Sequence, residues 1–163
     1  MTFNWQKFIK VGDEILEDLN TPALNEAYCR TSINRFYYGV SNPARNFLEK
    51  DGRWKQEIEA PKKPKPNEFQ DHNEYDVAFK NYEEDLEDFK WAQNSQHGKT
   101  IIILKKSENE TENTLSSQLS TLFIQRKKAD YYLHEEINKF KADLAKLLSN
   151  EILNSLKEIG AIT

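Results

Sequence analysis

The chain has little of what most folds use to bend, cross-link or anchor themselves. Of its 163 residues, one is cysteine, five are glycine and five are proline. A lone Cys29 excludes an intrachain disulfide and suits a reducing compartment. Three of the prolines crowd into "PKKPKP" at 61–66, so the rest of the chain carries few breakers. That favours long helices over many short strands. The longest apolar run, "IIIL" at 101–104, is far too short to span a bilayer. The opening "MTFNWQKFIK" has no apolar stretch of signal-peptide length. These absences predict a soluble, cytoplasmic protein with no membrane partner. No internal repeat, Gly-rich phosphate loop or Cys/His cluster at metal-ligand spacing is visible, so no cofactor and no metal site are predicted.

Apolar residues make up 37% of the chain and charged residues 31%, with a net charge of −4. The length suits a single domain over 1–163, and a chain of this size buries roughly 70% of its unfolded surface. The negative balance argues against capture of nucleic acid by the whole molecule, and leaves room for a local basic patch.

Helical periodicity organises the chain. Phe3, Phe8, Val11, Ile15, Leu16 and Leu19 predict a first helix over 3–19. "NTP" at 20–22 supplies a cap and a first-turn proline for a second helix over about 22–50. Its core face holds Tyr28, Ile33, Phe36, Tyr37, Val40, Ala44, Phe47 and Leu48, and Pro43 predicts a kink within it. "KDG" at 50–52 stops it. Residues 53–68, with "APKKPKPNE", read as an extended basic tether. Tyr75, Phe79, Tyr82, Leu86 and Phe89 then form a narrow aromatic seam on an extra helix over 69–94, beside the acidic "EEDLED". The insertion therefore spans about 53–95. Ser95 caps a further helix from about 97, and "SENETEN" at 107–113 is a polar loop. A helix from Leu115 carries "RKKADYYLH" at 126–134. The last helix buries Ile137, Phe140, Leu144, Leu147, Leu148, Ile152, Leu156 and Ile159. The fold predicted is all-α, an up-and-down bundle of four to five main helices with the insertion added. Its core should contain Phe36, Tyr37, Val40, Leu122, Leu144 and Leu148.

Metal-free RNA cleavage needs a base, an acid and a fixed cation beside the crowded phosphorus. His and Arg suit these tasks at neutral pH. Arg126, His97 and His134 are available, with Asp130 as an orienting group. Arg126 shares a helix face with Leu122 and Ala129, and an arginine on a core-facing edge needs a partner: an internal acid or a phosphate. Each residue also has a plainer reading. His134 ends a helix and suits a capping or solvent-facing role. His97, just before Gly98, suits capping or packing. Lys127 and Lys128 suit an exposed face.

Three segments, "AYCRTSINRFYYGVSNPARNFLEKDG", "QHGKTIIILKK" and "RKKADYYLHEEINKFKADLAKLLSNEILNSL", resemble the HEPN family, most closely its small stand-alone bacterial and archaeal members. Arg30, Arg35, Tyr37, Tyr38, His97, Gly98, Arg126, Ala129, Asp130 and Tyr131 match in order, and the resemblance covers the chain apart from about 53–95. It implies a helical bundle that dimerises through the motif-bearing helices. It also implies a metal-independent ribonuclease or toxin of a toxin–antitoxin or antiviral defence system. In that setting the partners are RNA, a second copy and a cognate nucleotidyltransferase or other protein. Arg126, His134, Tyr131 and Asp130 would be the catalytic set, with Arg126, Arg35, Arg30, Lys127 and His97 on RNA phosphates. The sequence departs from the family where an Arg is followed within a few residues by His. Tyr131 stands at the matching place after Arg126, and His134 lies beyond it. Tyrosine, with a pKa of about 10, is a poor base at neutral pH. Two other readings therefore stay open: a catalytically degenerate module that binds RNA, a nucleotide or a partner protein, and a helical adaptor that docks through its insertion.

Overall fold

Ile9, Gly12 and Leu16 line one side of the first helix, α1 (Gln6–Glu17), and are its buried residues. The computed structural model describes residues 4–18 and 25–163. The expected contributions of Phe3, Leu19 and the "NTP" cap fall outside those residues. Val11 is exposed, so Ile9 and Gly12 supply the contact the periodicity assigned to it.

Five further helices follow: α2 (Asn25–Lys50), α3 (His72–Asn94), α4 (Gln96–Lys105), α5 (Glu110–Tyr131) and α6 (Lys139–Glu158). Local sequence sets several of their ends. Asp71 caps α3, Ser95 caps α4, Asn109 caps α5 and Asn138 caps α6, each through a side-chain oxygen on a first-turn N–H. Asn109 starts α5 inside the segment expected to be a polar loop. Its oxygen takes the N–H groups of Thr111 and Glu112, which outweighs the polar composition. Helix α2 continues through Pro43. Short 3-10 turns at Arg53–Lys55 and Pro66–Glu68 bracket the proline-rich segment.

Successive helices that touch run antiparallel. Ile9 meets Gly39 and Gly12 meets Phe36 between α1 and α2. Asp88 binds Lys105 between α3 and α4. The Ser116 hydroxyl donates to the Ile101 carbonyl between α4 and α5. Gln118 accepts from Ser155, and Glu158 from Thr111, between α5 and α6. The architecture is an all-α bundle, with no strand among the described residues, and α3 packs on α4.

Helix α2 is the central element and packs on α1, α5 and α6. Ile33, Phe36, Tyr37, Val40, Ala44 and Leu48 are buried along it, as expected. Each such side chain contributes roughly 1.5–3 kcal/mol of burial. A forked ion pair pins the far end, where the Arg53 guanidinium holds both oxygens of the buried Glu112.

The expected face of α6 requires correction. Phe140, Leu144 and Leu147 are exposed and Leu148 is only partly buried. The buried residues are Ala142, Ala145, Ser149, Ile152 and Leu156. Small residues let α6 lie close to α2, which turns the larger leucines outward. Ile137 is buried from the loop before the helix, not from the helix itself.

Candidate functional site

Arg30, Asn34 and Tyr38 stand four residues apart on α2, so their side chains form one row along the helix. That row faces the last turns of α5, and each member does something different there. The Arg30 guanidinium donates to the carbonyls of Ala129, at 2.7 Å, and Glu135, also at 2.7 Å. It reaches Lys128 and Tyr132 carbonyls at longer range and pairs with Glu26. A cation among the last carbonyls of a helix satisfies groups that have no intrahelical partner. Arg30 thus closes the end of α5 and fixes the turn that follows.

Asn34 donates to both carboxylate oxygens of Asp130, at 3.3 and 3.1 Å. Asp130 in turn lies 2.6 Å from Nε of Arg126, one helical turn earlier. The contact is an ion pair without an aligned hydrogen bond, since Nε has no hydrogen-bond partner. The Arg126 guanidinium sits between two aromatic rings, with Cζ 5.5 Å from the centre of Tyr38 and 5.2 Å from that of Tyr131. Nη2 donates to the Tyr131 hydroxyl at 3.3 Å, and Nη1 makes no hydrogen bond to a described residue. The side chain is 12% exposed. Burial opposes its charge, but Tyr38, Asp130 and Tyr131 more than offset that, and the pKa is raised.

The start of α4 brings His97 to the same place. Ser95 accepts from the Gly98 N–H and begins the helix there. Gly98 is required by contact: a Cβ would fall 2.6 Å from the Trp91 carbonyl oxygen. Nδ1 of His97 lies 2.8 Å from the Tyr37 hydroxyl. The ring packs edge-on against Tyr37 and Tyr38 and tilts against Phe123. Burial, then the charges of Arg126 and Arg45, push the His97 pKa below its ordinary value. Burial raises Tyr37, which keeps its proton. The Tyr37 hydroxyl can donate to Nδ1 or accept from it, and neutral His97 with its proton on Nε2 is the form in which Tyr37 donates. Nε2 makes no hydrogen bond to a described residue.

Arg126, Asp130, Tyr131 and His97 therefore come together, with Tyr38 as the shared surface. The other expected residues stand elsewhere. Arg30 is engaged by the backbone carbonyls at the end of α5 and by Glu26. Arg35 lies on the α1 side of α2, over the Phe8 ring. Lys127 is exposed beside Phe123. His134 is exposed in the turn beyond α5, because the helix ends at Tyr131 and separates the histidine from Arg126. It lines an open hollow of about 480 Å³ with Tyr131, Tyr132, Leu133 and Glu135. Sequence reasoning missed Asn34 and Arg45. The i, i+4 spacing of Asn34 with Arg30 and Tyr38 was the available signal. Arg45 donates to Gln96, next to His97, and stacks over Trp54.

The arrangement offers a fixed cation, an outward N–H and two phenol rings at a surface. Asp130 is already committed to Arg126 and Asn34, so it is a holder and not a free base. A hollow of about 540 Å³ lies away from this site, between residues 57–60 and helices α3 and α4. Among the described residues, no His, Cys, Asp and Glu side chains group as metal ligands, and no helix is long and apolar enough to cross a membrane. Comparison with protein-family models, curated proteins and solved structures found no match.

Proposed function

We propose that this chain is a HEPN-like RNA-acting protein whose Arg126 and His97 hold a backbone phosphate. The observation that supports it is that Arg126 and His97 both rest on Tyr38, with Nη1 of the one and Nε2 of the other making no hydrogen bond to a described residue. A guanidinium and an imidazole N–H side by side suit the oxygens of a phosphodiester. Tyr38 and Tyr131 add faces on which a base can stack. In the cleaving form, a 2′-oxygen attacks phosphorus, the 5′-oxygen leaves and takes a proton, and Arg126 stabilises the charge between them. A neutral His97 would donate an Nε2–H hydrogen bond to a phosphate oxygen, and the proton for the leaving oxygen would come from water. The base for the 2′-hydroxyl would have to come from outside this constellation, and a second copy of the chain is its proposed source.

A second reading is favoured by the tight Arg126–Asp130 pair. With Asp130 occupied and no free base beside Arg126, a module that binds RNA without cutting it fits the same geometry. End-labelled RNA with pure protein and EDTA separates the two. Cleavage that Arg126→Ala abolishes supports the enzyme. Binding without cleavage, weakened by Arg126→Ala and His97→Ala, supports the module. If neither variant changes RNA binding or cleavage while Arg126→Ala lowers thermal stability, the site is an internal ion pair and the RNA reading fails.

A further inference from the structure

The segment expected to be a wet tether is seated on the aromatic seam of α3. Ile58, Pro61 and Pro64 are half-buried, and the residues between them are exposed. A burial period of three is that of a polyproline-II helix, which turns once every three residues. Backbone angles at Gln56 (φ −65°, ψ 138°) and Lys65 (φ −110°, ψ 137°) are extended, and no hydrogen-bonded element lies between the two short turns.

The opposite surface is a ladder. Tyr75, Phe79 and Tyr82 follow one another with ring centres 5.8 and 5.9 Å apart. Phe69 packs edge-on against Tyr75, Lys63 lies 5.6 Å over the Phe79 ring, and Ile58 and Ala60 border one hollow with Phe89 and Ala92. The segment thus runs antiparallel to α3 from its C-terminal end to its N-terminal end. The segment is basic, with Lys62, Lys63 and Lys65, and the helix it lies on is acidic, with "EEDLED" at 83–88. A proline-spaced extended segment with a lysine over an aromatic ring of a helix is a chemistry of peptide recognition.

We propose that the aromatic face of α3 is a recognition site for basic, proline-spaced segments in polyproline-II conformation, and that residues 57–69 are the ligand it carries in cis. A segment of the same chemistry supplied in trans competes with the resident one. The inference is independent of the Arg126 site.

The test uses a labelled peptide of residues 56–69 and the full chain carrying Ile58→Gly, Pro61→Gly and Pro64→Gly. A tethered segment acts at an effective concentration of about millimolar. Fluorescence anisotropy should therefore show the variant binding the peptide about tenfold more tightly than the wild type does. Phe79→Ala in the same background should abolish binding, and so should glycine in place of both prolines of the peptide. Equal binding by variant and wild type, or by the proline-free peptide, overturns the proposal. A second measurement covers a variant that does not fold. Phe79→Ala alone should release the segment and speed tryptic cleavage at Lys62–Lys65, and an unchanged rate overturns the proposal too.

Discussion

Asn34 holds both oxygens of Asp130 from the neighbouring helix, and Asp130 is what sets Arg126 in place. The amide is thus a positioning group two steps from the guanidinium. Asn34→Ala should cost about 1.5–3 kcal/mol, the scale for losing a hydrogen bond to a charged partner. Asn34→Asp should cost more at neutral pH, because two carboxylates would then face each other, and should recover part of that loss on acidification. Urea unfolding at neutral and mildly acidic pH checks both. Equal stability of the two variants at neutral pH would show that Asp130 does not need the amide.

His97 should leave a mark on stability between mildly acidic and neutral pH. Its folded pKa is depressed below the ordinary 6.5, by burial first and by Arg126 and Arg45 after that. Below 6.5 the unfolded chain therefore takes up a proton that the folded chain resists. The stabilisation is complete above 6.5 and shrinks as pH falls toward the depressed value. The carboxyls of Glu26 and Glu135 are lowered from 4.5 and act further down. Thermal midpoints should fall from about pH 7 to about pH 5 in the wild type and fall less in His97→Phe, which keeps the ring packing. Parallel curves for the two proteins would remove His97 from the account.

Gly98→Ala tests how closely α4 approaches α3. Alanine is the better helix residue by about 1 kcal/mol. The added Cβ would meet the Trp91 carbonyl at 2.6 Å and the indole ring at 2.7 Å, and a backbone atom cannot yield cheaply. Overpacking costs about 1–3 kcal/mol. The net effect should be destabilising, with a change in tryptophan fluorescence as Trp91 shifts. A stabilised variant would mean that the helices separate freely.

The outward stripe of α6 should mediate self-association. Phe140, Leu144 and Leu147 are 69%, 41% and 61% exposed at spacings of four and three residues. Tyr132 and Leu133, at the end of α5, are exposed as well. Light scattering at micromolar concentration should report a dimer, and Leu147→Glu should convert it to monomer with the helical signal unchanged. A monomeric wild type would contradict both this expectation and a site completed by a second copy.

Much of what depends on neighbours along the chain was legible in the sequence, although the Asn109 cap that starts α5 inside the expected loop was missed. The helices, the stops and caps at Gly52 and Ser95, the α2 core face and the aromatic seam of α3 follow from spacing and local hydrogen bonding, which act over a few residues. So does the presence of Arg126 on a core-facing edge of α5. Three features were decided only by tertiary packing. The leucines of α6 turn outward because Ala142, Ala145 and Ser149 allow a closer approach to α2, and periodicity cannot rank two faces that are both apolar. Arg30 closes a helix because α5 ends opposite it, about a hundred residues later in the chain. His97 joined Arg126, and His134 did not, because α4 starts against Tyr37 and Tyr38 while α5 stops at Tyr131. A side chain's chemistry is written in its residue type, but the company it keeps is set by which helix ends meet, and those meetings join parts of the chain that share no local pattern.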